Sequence, residues 1–209
     1  MESKRGQSLV ITTPEARPCP GLPTMSLPTL APASAAAVAP SGYRLEKVTL
    51  QFLDRAYSIE ISSYPEDEAA TREKLDLRIR KASSFFYGAF RVGSSEEISL
   101  VGFVCGTLVA SETLTEEAMA KHDPAGTTLC IHSIVVEESL RRRGLATWML
   151  QEYLQRMASE TKTERVLLIC KENLVGFYES CGFGLIGPSA VVHGQTPWVD
   201  MGLAIKKEI

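Results

Sequence analysis

A chain of 209 residues and 22.8 kDa, 44% hydrophobic and 22% charged, can bury the core of one domain with an appendage, which excludes full disorder and two full-sized domains. Its 22 basic and 25 acidic residues leave a net charge of −3 and a pI near 5.7, which excludes the broad basic field of a nucleic-acid coat. No apolar run approaches the roughly 20 residues of a bilayer helix, so no membrane span is expected.

Seven of the eleven prolines fall before Gly42, among Ala, Ser and Thr, and a segment with so few large apolar groups cannot build a core. Residues 1–41 are therefore expected to be a disordered tail and residues 42–209 the folded domain. Within it, Tyr43 to Lys47 reads as a strand, Leu50 to Ile61 as a helix and Glu68 to Ala82 as a second, charged helix. Phe85 to Val92 and Ser99 to Val109 are β-branched or aromatic, with Gly93-Ser94-Ser95 between them as hairpin chemistry. Ser111 to Ala120 reads as a short helix and His122 to Gly126 as a loop. Leu129 to Val136 is nearly continuous in apolar residues, as expected of a strand buried on both faces. A polar turn, Glu137 to Gly144, leads into a helix whose Ala146, Met149, Leu150, Tyr153, Leu154 and Met157 share one face. Arg165 to Cys170 is another buried strand, Asn173 to Ser180 a short helix, and Cys181 to Gly184 a turn into a last pair of strands ending near Ile205.

The five cysteines are odd in number, widely spread and free of any C-x-x-C pair, which points to buried thiols in a reducing compartment and to no zinc site. Met1-Glu2-Ser3-Lys4-Arg5 opens no secretory signal, so a cytoplasmic location is expected. The Pro, Ala, Ser and Thr content before Gly42 is one that a plastid transit peptide would share.

A strand, a basic glycine turn and a helix in succession make an anion site, because the first amides of the helix lack partners and its dipole is positive there. Arg141-Arg142-Arg143-Gly144-Leu145-Ala146-Thr147 occupies that position, without the spacing of a nucleoside-triphosphate loop. Composition alone would also allow a solvated basic loop.

The pattern R-x-x-G-x-A after an apolar strand, with Asn173 and Phe177-Tyr178-Glu179-Ser180-Cys181-Gly182-Phe183 about 30 residues on, resembles the acetyl-CoA signature of the GNAT superfamily. Leu129 to Val136, Leu168 to Tyr178 and Gly187 to Val192 look like the arylalkylamine (serotonin) N-acetyltransferases. Ile59-Glu60 and Ser63 to Ala69 look like the amine-pocket segment of that family, particularly its fungal-type members. The resemblance runs from about Tyr43 to Ile205.

It implies an α/β (α+β) fold with a mixed, mostly antiparallel twisted sheet flanked by helices, and acetyl-CoA as co-substrate with no metal. The backbone of Ile134, Val135 and Val136 would hold the pantetheine arm, Arg142, Arg143, Gly144, Leu145, Ala146 and Thr147 the pyrophosphate, and Asn173 would add a polar contact. Tyr178 would lie beside the sulfur. Tyr64 and Pro65 would close over the aromatic amine, with His132, Ser133 and Ile169 on the pocket wall.

An ammonium ion cannot attack a thioester until it loses a proton, and His132 is the candidate base. Cys130 and His132 are two apart and face the same way, where vertebrate members carry two histidines. Glu60 reads as an exposed helix carboxylate, with a role as base, as in insect relatives, the alternative. His122 and His193 read as loop residues.

The expected activity is acetyl transfer to a primary arylalkylamine by direct attack in a ternary complex, with melatonin biosynthesis the associated process. Acetylation of polyamines or a protein amine, or an inactive acetyl-CoA-binding regulator, are the competing readings. A monomer is expected. Unlike vertebrate members, the chain ends Ile205-Lys206-Lys207-Glu208-Ile209 without an Arg-rich phosphorylation site, and the segment around Ser8 is only weakly basic, so no phosphoserine adaptor is expected to bind.

Overall fold

The β-branched and aromatic runs become strands β1 (Tyr43–Lys47), β2 (Phe86–Val92), β3 (Ile98–Val109), β4 (Thr128–Val136), β5 (Arg165–Cys170), β6 (Gly184–Pro188) and β7 (Val199–Ala204). In this computed structural model, which describes residues 26–30, 39–93 and 98–206, they form one sheet in the order β1-β2-β3-β4-β5-β7-β6. Every neighbouring pair is antiparallel except β4 and β5. The expected mixed, mostly antiparallel sheet is thus the one that forms.

Helices α1 (Leu53–Ile61), α2 (Arg72–Lys81), α3 (Glu116–Ala120), α4 (Leu145–Glu160) and α5 (Val175–Ser180) cover it. On one face α4 buries Trp148, Met149, Leu150, Tyr153, Leu154 and Met157 against strand residues including Val104, Leu129, Val166 and Leu168. Each such side chain contributes about 1.5–3 kcal/mol. On the other face Leu53, Ala56 and Ile59 of α1 and Leu75 and Ile79 of α2 pack on Phe86, Phe90, Leu100 and Phe103.

Several boundaries differ from the sequence reading for local reasons. Strand β2 starts at Phe86 because Ser83–Phe85 form a 3-10 turn, and helix α2 starts only after Thr71, whose hydroxyl accepts from the Lys74 amide at 3.3 Å. Short 3-10 turns also open α1 (Leu50–Phe52) and α5 (Glu172–Leu174). The helix expected over Ser111 to Ala120 shrinks to Glu116–Ala120, since Ser111 folds onto Thr113 with bonds of 2.8 Å to its carbonyl and 3.2 Å from its amide. The β2–β3 turn at 94–97 lies outside the described residues.

The expectation of a disordered tail over 1–41 falls mostly outside the described residues, but it fails at Ser26 to Leu30. Thr29 bridges Ala204 in parallel, with Leu30 N–H to Ala204 O and Ala204 N–H to Pro28 O both at 2.8 Å. Strand β7 extends beyond β6 there, so its free backbone groups take the segment as a partner, and Leu27 and Leu30 pack on the core.

The register of β3 against β4 shifts between Cys105 and Gly106, which pair with Ser133 and Ile131 and leave His132 as the extra residue of a bulge. A Cβ on Gly106 would sit 2.7 Å from the Cys130 carbonyl oxygen and 2.8 Å from Leu129, so only glycine lets β4 approach at the bulge. Gly106→Ala is expected to destabilise the fold by about 1–3 kcal/mol, read as a lower urea midpoint with the slope unchanged.

Candidate functional site

Strands β4 and β5 pair only over Thr128–Cys130 and Arg165–Leu167, and beyond that point they part. The bulge lies just past the parting, and a cavity of about 660 Å³ opens there, reached by the four consecutive residues Ile131 to Ile134. Helix α1 adds Glu60, the loop after it Tyr64, strand β5 Leu168 and Ile169, and helix α5 Tyr178. His132, Ser133 and Ile134, together with the distant Tyr64, Ile169 and Tyr178, are therefore brought to one cavity.

Glu60 corrects the reading of an exposed carboxylate: it is 1% exposed. Its position follows from helical spacing, since Leu53, Ala56 and Glu60 stand at i, i+3 and i+7 on the buried face of α1. Glu60 Oε1 accepts from the Ala70 amide and from the Ser133 hydroxyl, each at 3.0 Å, while Oε2 is buried without a partner among the described residues. Desolvation raises its pKa above the ordinary carboxylate value, against the Ala70 and Ser133 bonds and the nearby Arg78 charge.

His132 Nε2 lies 2.7 Å from the Thr107 hydroxyl, and Nδ1 is buried without a partner among the described residues. Burial, aided by the positive charges of Arg78 and Lys74, pushes its pKa well below 6.5, so the ring is neutral at physiological pH. Cys130 is not on the cavity wall. It packs with Val109, Leu167 and Val191, and burial pushes its thiol up to about 12, which removes it from proton transfer near neutrality. Tyr178 stacks edge-on against Phe177 and Phe183 with centroids 4.9 and 5.9 Å away, and burial raises its phenol well above 10. Tyr64 is raised in the same way, by burial and then by the Glu60 charge, with the Ile134 backbone acting in opposition.

At the other end of β4, Arg142 (φ 62°) and Gly144 (φ 79°) take left-handed conformations and turn the chain into α4. Gly144 is the N-cap with no side-chain cap, and a Cβ there would meet nothing within 4 Å. The first amides of α4, those of Leu145, Ala146 and Thr147, thus have no side-chain cap, and the exposed Arg142 and Arg143 stand just before them. Arg141 acts differently from these two, because its Nε donates to Val136 O at 2.9 Å and its Nη2 to Ser63 Oγ at 3.0 Å, tying the turn to β4 and to the end of α1. Val135 and Val136 are buried in the cores on opposite faces of the sheet, Pro65 is exposed and off the cavity wall, and Asn173 is exposed in the turn before α5.

The cavity has a roof that sequence reading missed. Lys171 Nζ reaches the buried Glu68 Oε1 at 2.7 Å and lies 5.4 Å from the Trp198 ring, whose N–H donates to His193 O. His193 Nε2 in turn donates to the Glu68 carbonyl at 2.8 Å, so this loop residue fastens the β6–β7 loop to the α1–α2 loop. No group of three or more His, Cys, Asp or Glu side chains among the described residues could hold a metal ion.

Residues 51–183 match the model of a family described as acetyltransferase (GNAT). The chain is 34% identical over 115 residues to the serotonin N-acetyltransferase of Mesocricetus auratus and 30% identical over 115 residues to that of Homo sapiens, in each case 55% of this chain and 56% of the relative. It thus spans about half the length of the curated relatives it matches. Among solved structures it is similar to the loading GNATL domain of CurA from Lyngbya majuscula (TM-score 0.66, 16% identity, 78% of this chain and 97% of that one). It is also similar to Arabidopsis thaliana NAA60 in complex with a bisubstrate analogue (TM-score 0.60, 16% identity, 79% and 99%).

Proposed function

The chain belongs to the acetyltransferase (GNAT) family, and on that premise we propose that it carries acetyl from acetyl-CoA to a primary amine on an arylalkyl frame, of the tryptamine, serotonin or phenylethylamine type, by direct attack with both substrates bound. The observation that carries this reading is the cavity at the parting of β4 and β5, whose wall brings together a buried carboxylate, an imidazole and a phenol. The curated relatives named serotonin N-acetyltransferase support the aromatic frame.

The residues present fit the co-substrate. Open amides at Leu145, Ala146 and Thr147, with Arg142 and Arg143, suit a pyrophosphate, because the uncapped helix start leaves donors that only a ligand or water can satisfy. The edge of β4 turned toward β5 is unpaired beyond Cys130, so Ile134, Val135 and Val136 can bond the amides of a pantetheine arm as an added strand. Asn173, exposed in the turn after β5, would add a polar contact. Acetyl-CoA supplies an activated acyl group whose thiol departs.

The chain's own part is to deprotonate the amine, orient it and meet the negative charge that grows on sulfur. Glu60 takes the proton: its raised pKa brings it nearer to neutrality than an exposed carboxylate, and Oε2 is uncommitted. Ser133 and Ala70 hold its other oxygen. Neutral His132, tied at Nε2 to Thr107, would offer Nδ1 to the acceptor, and Tyr178, on the cavity wall, would face the leaving sulfur.

Because the folded state keeps His132 neutral, below pH 6.5 the unfolded chain binds a proton that the folded chain refuses. The stability this ring contributes is present above pH 6.5 and is lost as pH falls toward its depressed value. His132→Gln is therefore expected to shrink the difference in urea midpoint between pH 7 and pH 5, and to lower kcat by about tenfold. An unchanged midpoint difference would refute the neutral ring.

The activity is tested by CoA release from acetyl-CoA with tryptamine, serotonin, phenylethylamine, spermidine and a lysine-rich peptide. Release with the aryl amines supports the reading. Release only with spermidine or peptide moves the function within the family, and binding of acetyl-CoA without release from any amine makes the chain a regulator.

A further inference from the structure

Helix α2 carries five cations, and they divide by face. Arg72 pairs with Asp54 at 2.7 Å and Arg80 with Asp76 at 2.9 Å. Lys74, Arg78 and Lys81, four and three residues apart on one face, instead line the cavity, and none has an ion-pair partner among the described residues.

Arg78 is the most telling of the three. It is half-buried, and the only hydrogen-bond acceptor its side chain reaches among the described residues is the Cys105 sulfur, 3.8 Å from Nη1. A guanidinium offers five N–H donors in a planar fork that matches an oxyanion in two-point contact, and a thiol satisfies almost none of that capacity. No Arg78 nitrogen is both buried and unpartnered, so its remaining donors are open to water or to a ligand that enters the cavity.

The other charged groups on the wall do not fill this need. Glu68 pairs with Lys171; Glu60, whose Oε1 holds the Ala70 amide and Ser133, and Glu116 on α3 make no ion pair within 4 Å of these cations; and Lys121 pairs with Glu117 at 3.1 Å. Nor do the cations belong to the pyrophosphate turn. That turn starts α4, which packs on one face of the sheet, whereas α2 packs on the other.

We infer that the acceptor is an amine that also carries an oxyanion, a carboxylate or a phosphate, which Arg78 grips between Lys74 and Lys81 while the amine lies toward Glu60 and His132. The inference rests on the amine-acetyltransferase reading above. The same cations repel a bare ammonium group, so a plain arylalkylamine enters this cavity against the field of α2 and a zwitterionic one enters with it.

Two arms test it on the full chain. In the first, calorimetry measures binding of 3-indolepropionate, which has no amine to acetylate, to the wild type, Arg78→Gln and the Lys74→Gln/Lys81→Gln double variant. Binding that weakens tenfold or more in Arg78→Gln and threefold or more in the double variant, which keeps the half-buried Arg78 and its packing, is expected. No binding to the wild type, or equal binding to all three, overturns the site.

In the second arm, kcat/KM is compared for phenylethylamine, 4-(2-aminoethyl)benzoate and tyramine O-phosphate. The wild type is expected to favour an oxyanion-bearing amine at least tenfold, and Arg78→Gln to reduce that ratio at least tenfold; whichever of the two anionic amines is preferred identifies the oxyanion. A wild type that favours phenylethylamine overturns the inference and leaves the acetyltransferase reading standing. Arg78-dependent binding of indolepropionate with no turnover of any amine does the reverse.

Discussion

Replacing Glu60 by Gln is expected to cut kcat by about 10²–10³-fold while making the folded chain more stable at pH 7. The two halves of this outcome have one cause. Gln keeps an oxygen that can accept from the Ala70 amide and the Ser133 hydroxyl, now both at 3.0 Å, so the loop after α1 stays attached, but it cannot take a proton from the ammonium. Burial raises the folded pKa of Glu60 above its unfolded value, so the folded state holds this proton more tightly than the unfolded chain does. The sign is then fixed: the group favours folding below the ordinary carboxylate pKa, and that contribution is lost as pH rises through the raised value. At pH 7 the wild type bears the cost of a buried carboxylate and the amide does not. The Tm of the variant minus that of the wild type should therefore grow between pH 4.5 and pH 7, as activity is lost. A purely structural Glu60 predicts the opposite, a fall in Tm with kcat within about threefold, and that result would remove it as the base.

That this carboxylate is internal could be read from the sequence, because the spacing that buries Leu53 and Ala56 also selects position 60. Residue type points against period here: a lone Glu is usually solvated, and only its partners Ser133, 73 residues away, and Ala70 make burial tolerable. Long-range pairing of this kind is absent from local pattern. The same reason hides the roof, where Glu68 meets Lys171 and His193 more than a hundred residues on. It also hides the docking of Thr29 on Ala204, since nothing near Thr29 announces a free edge at the far end of the chain.

What local pattern carried well was the strand, turn and helix around Gly144, where the missing side-chain cap and the left-handed Gly144 are consequences of the residues at hand. Even there the pattern gives Arg141 no role of its own. Arg141 differs from its neighbours only through Val136 and Ser63, which the fold brings to it. Similarly, alternation along β4 sets Cys130 and His132 on one side, yet only His132 lines the cavity. It cannot foresee the bulge opposite Gly106, which brings Ser133 to the same cavity and so supplies Glu60 with a donor.

Tyr178→Phe is expected to lower kcat by about 10–100-fold with little change in the KM for acetyl-CoA. Burial holds the Tyr178 phenol well above pH 10, so it is a donor at every pH at which the chain would be assayed, and its ionisation contributes no alkaline limb. An ordinary thiol titrates near about 8.5, well below that phenol, so complete proton transfer to a departing thiolate is uphill. The role left to Tyr178 is a hydrogen bond to charge as it grows on sulfur, worth about 1.5–3 kcal/mol for a charged acceptor, which sets the expected range in rate. Because sulfur carries little charge before the acyl group moves, the bond is weak in the ground state, and its loss acts on kcat rather than on cofactor affinity. Phe keeps the edge-on contacts with Phe177 and Phe183, so α5 and the cavity wall should stand, and an unchanged Tm checks this. A tenfold rise in the acetyl-CoA KM with kcat intact would make Tyr178 a binding contact instead. A variant within twofold of the wild type in both constants would leave the departing sulfur to be met by water or by the backbone of β4.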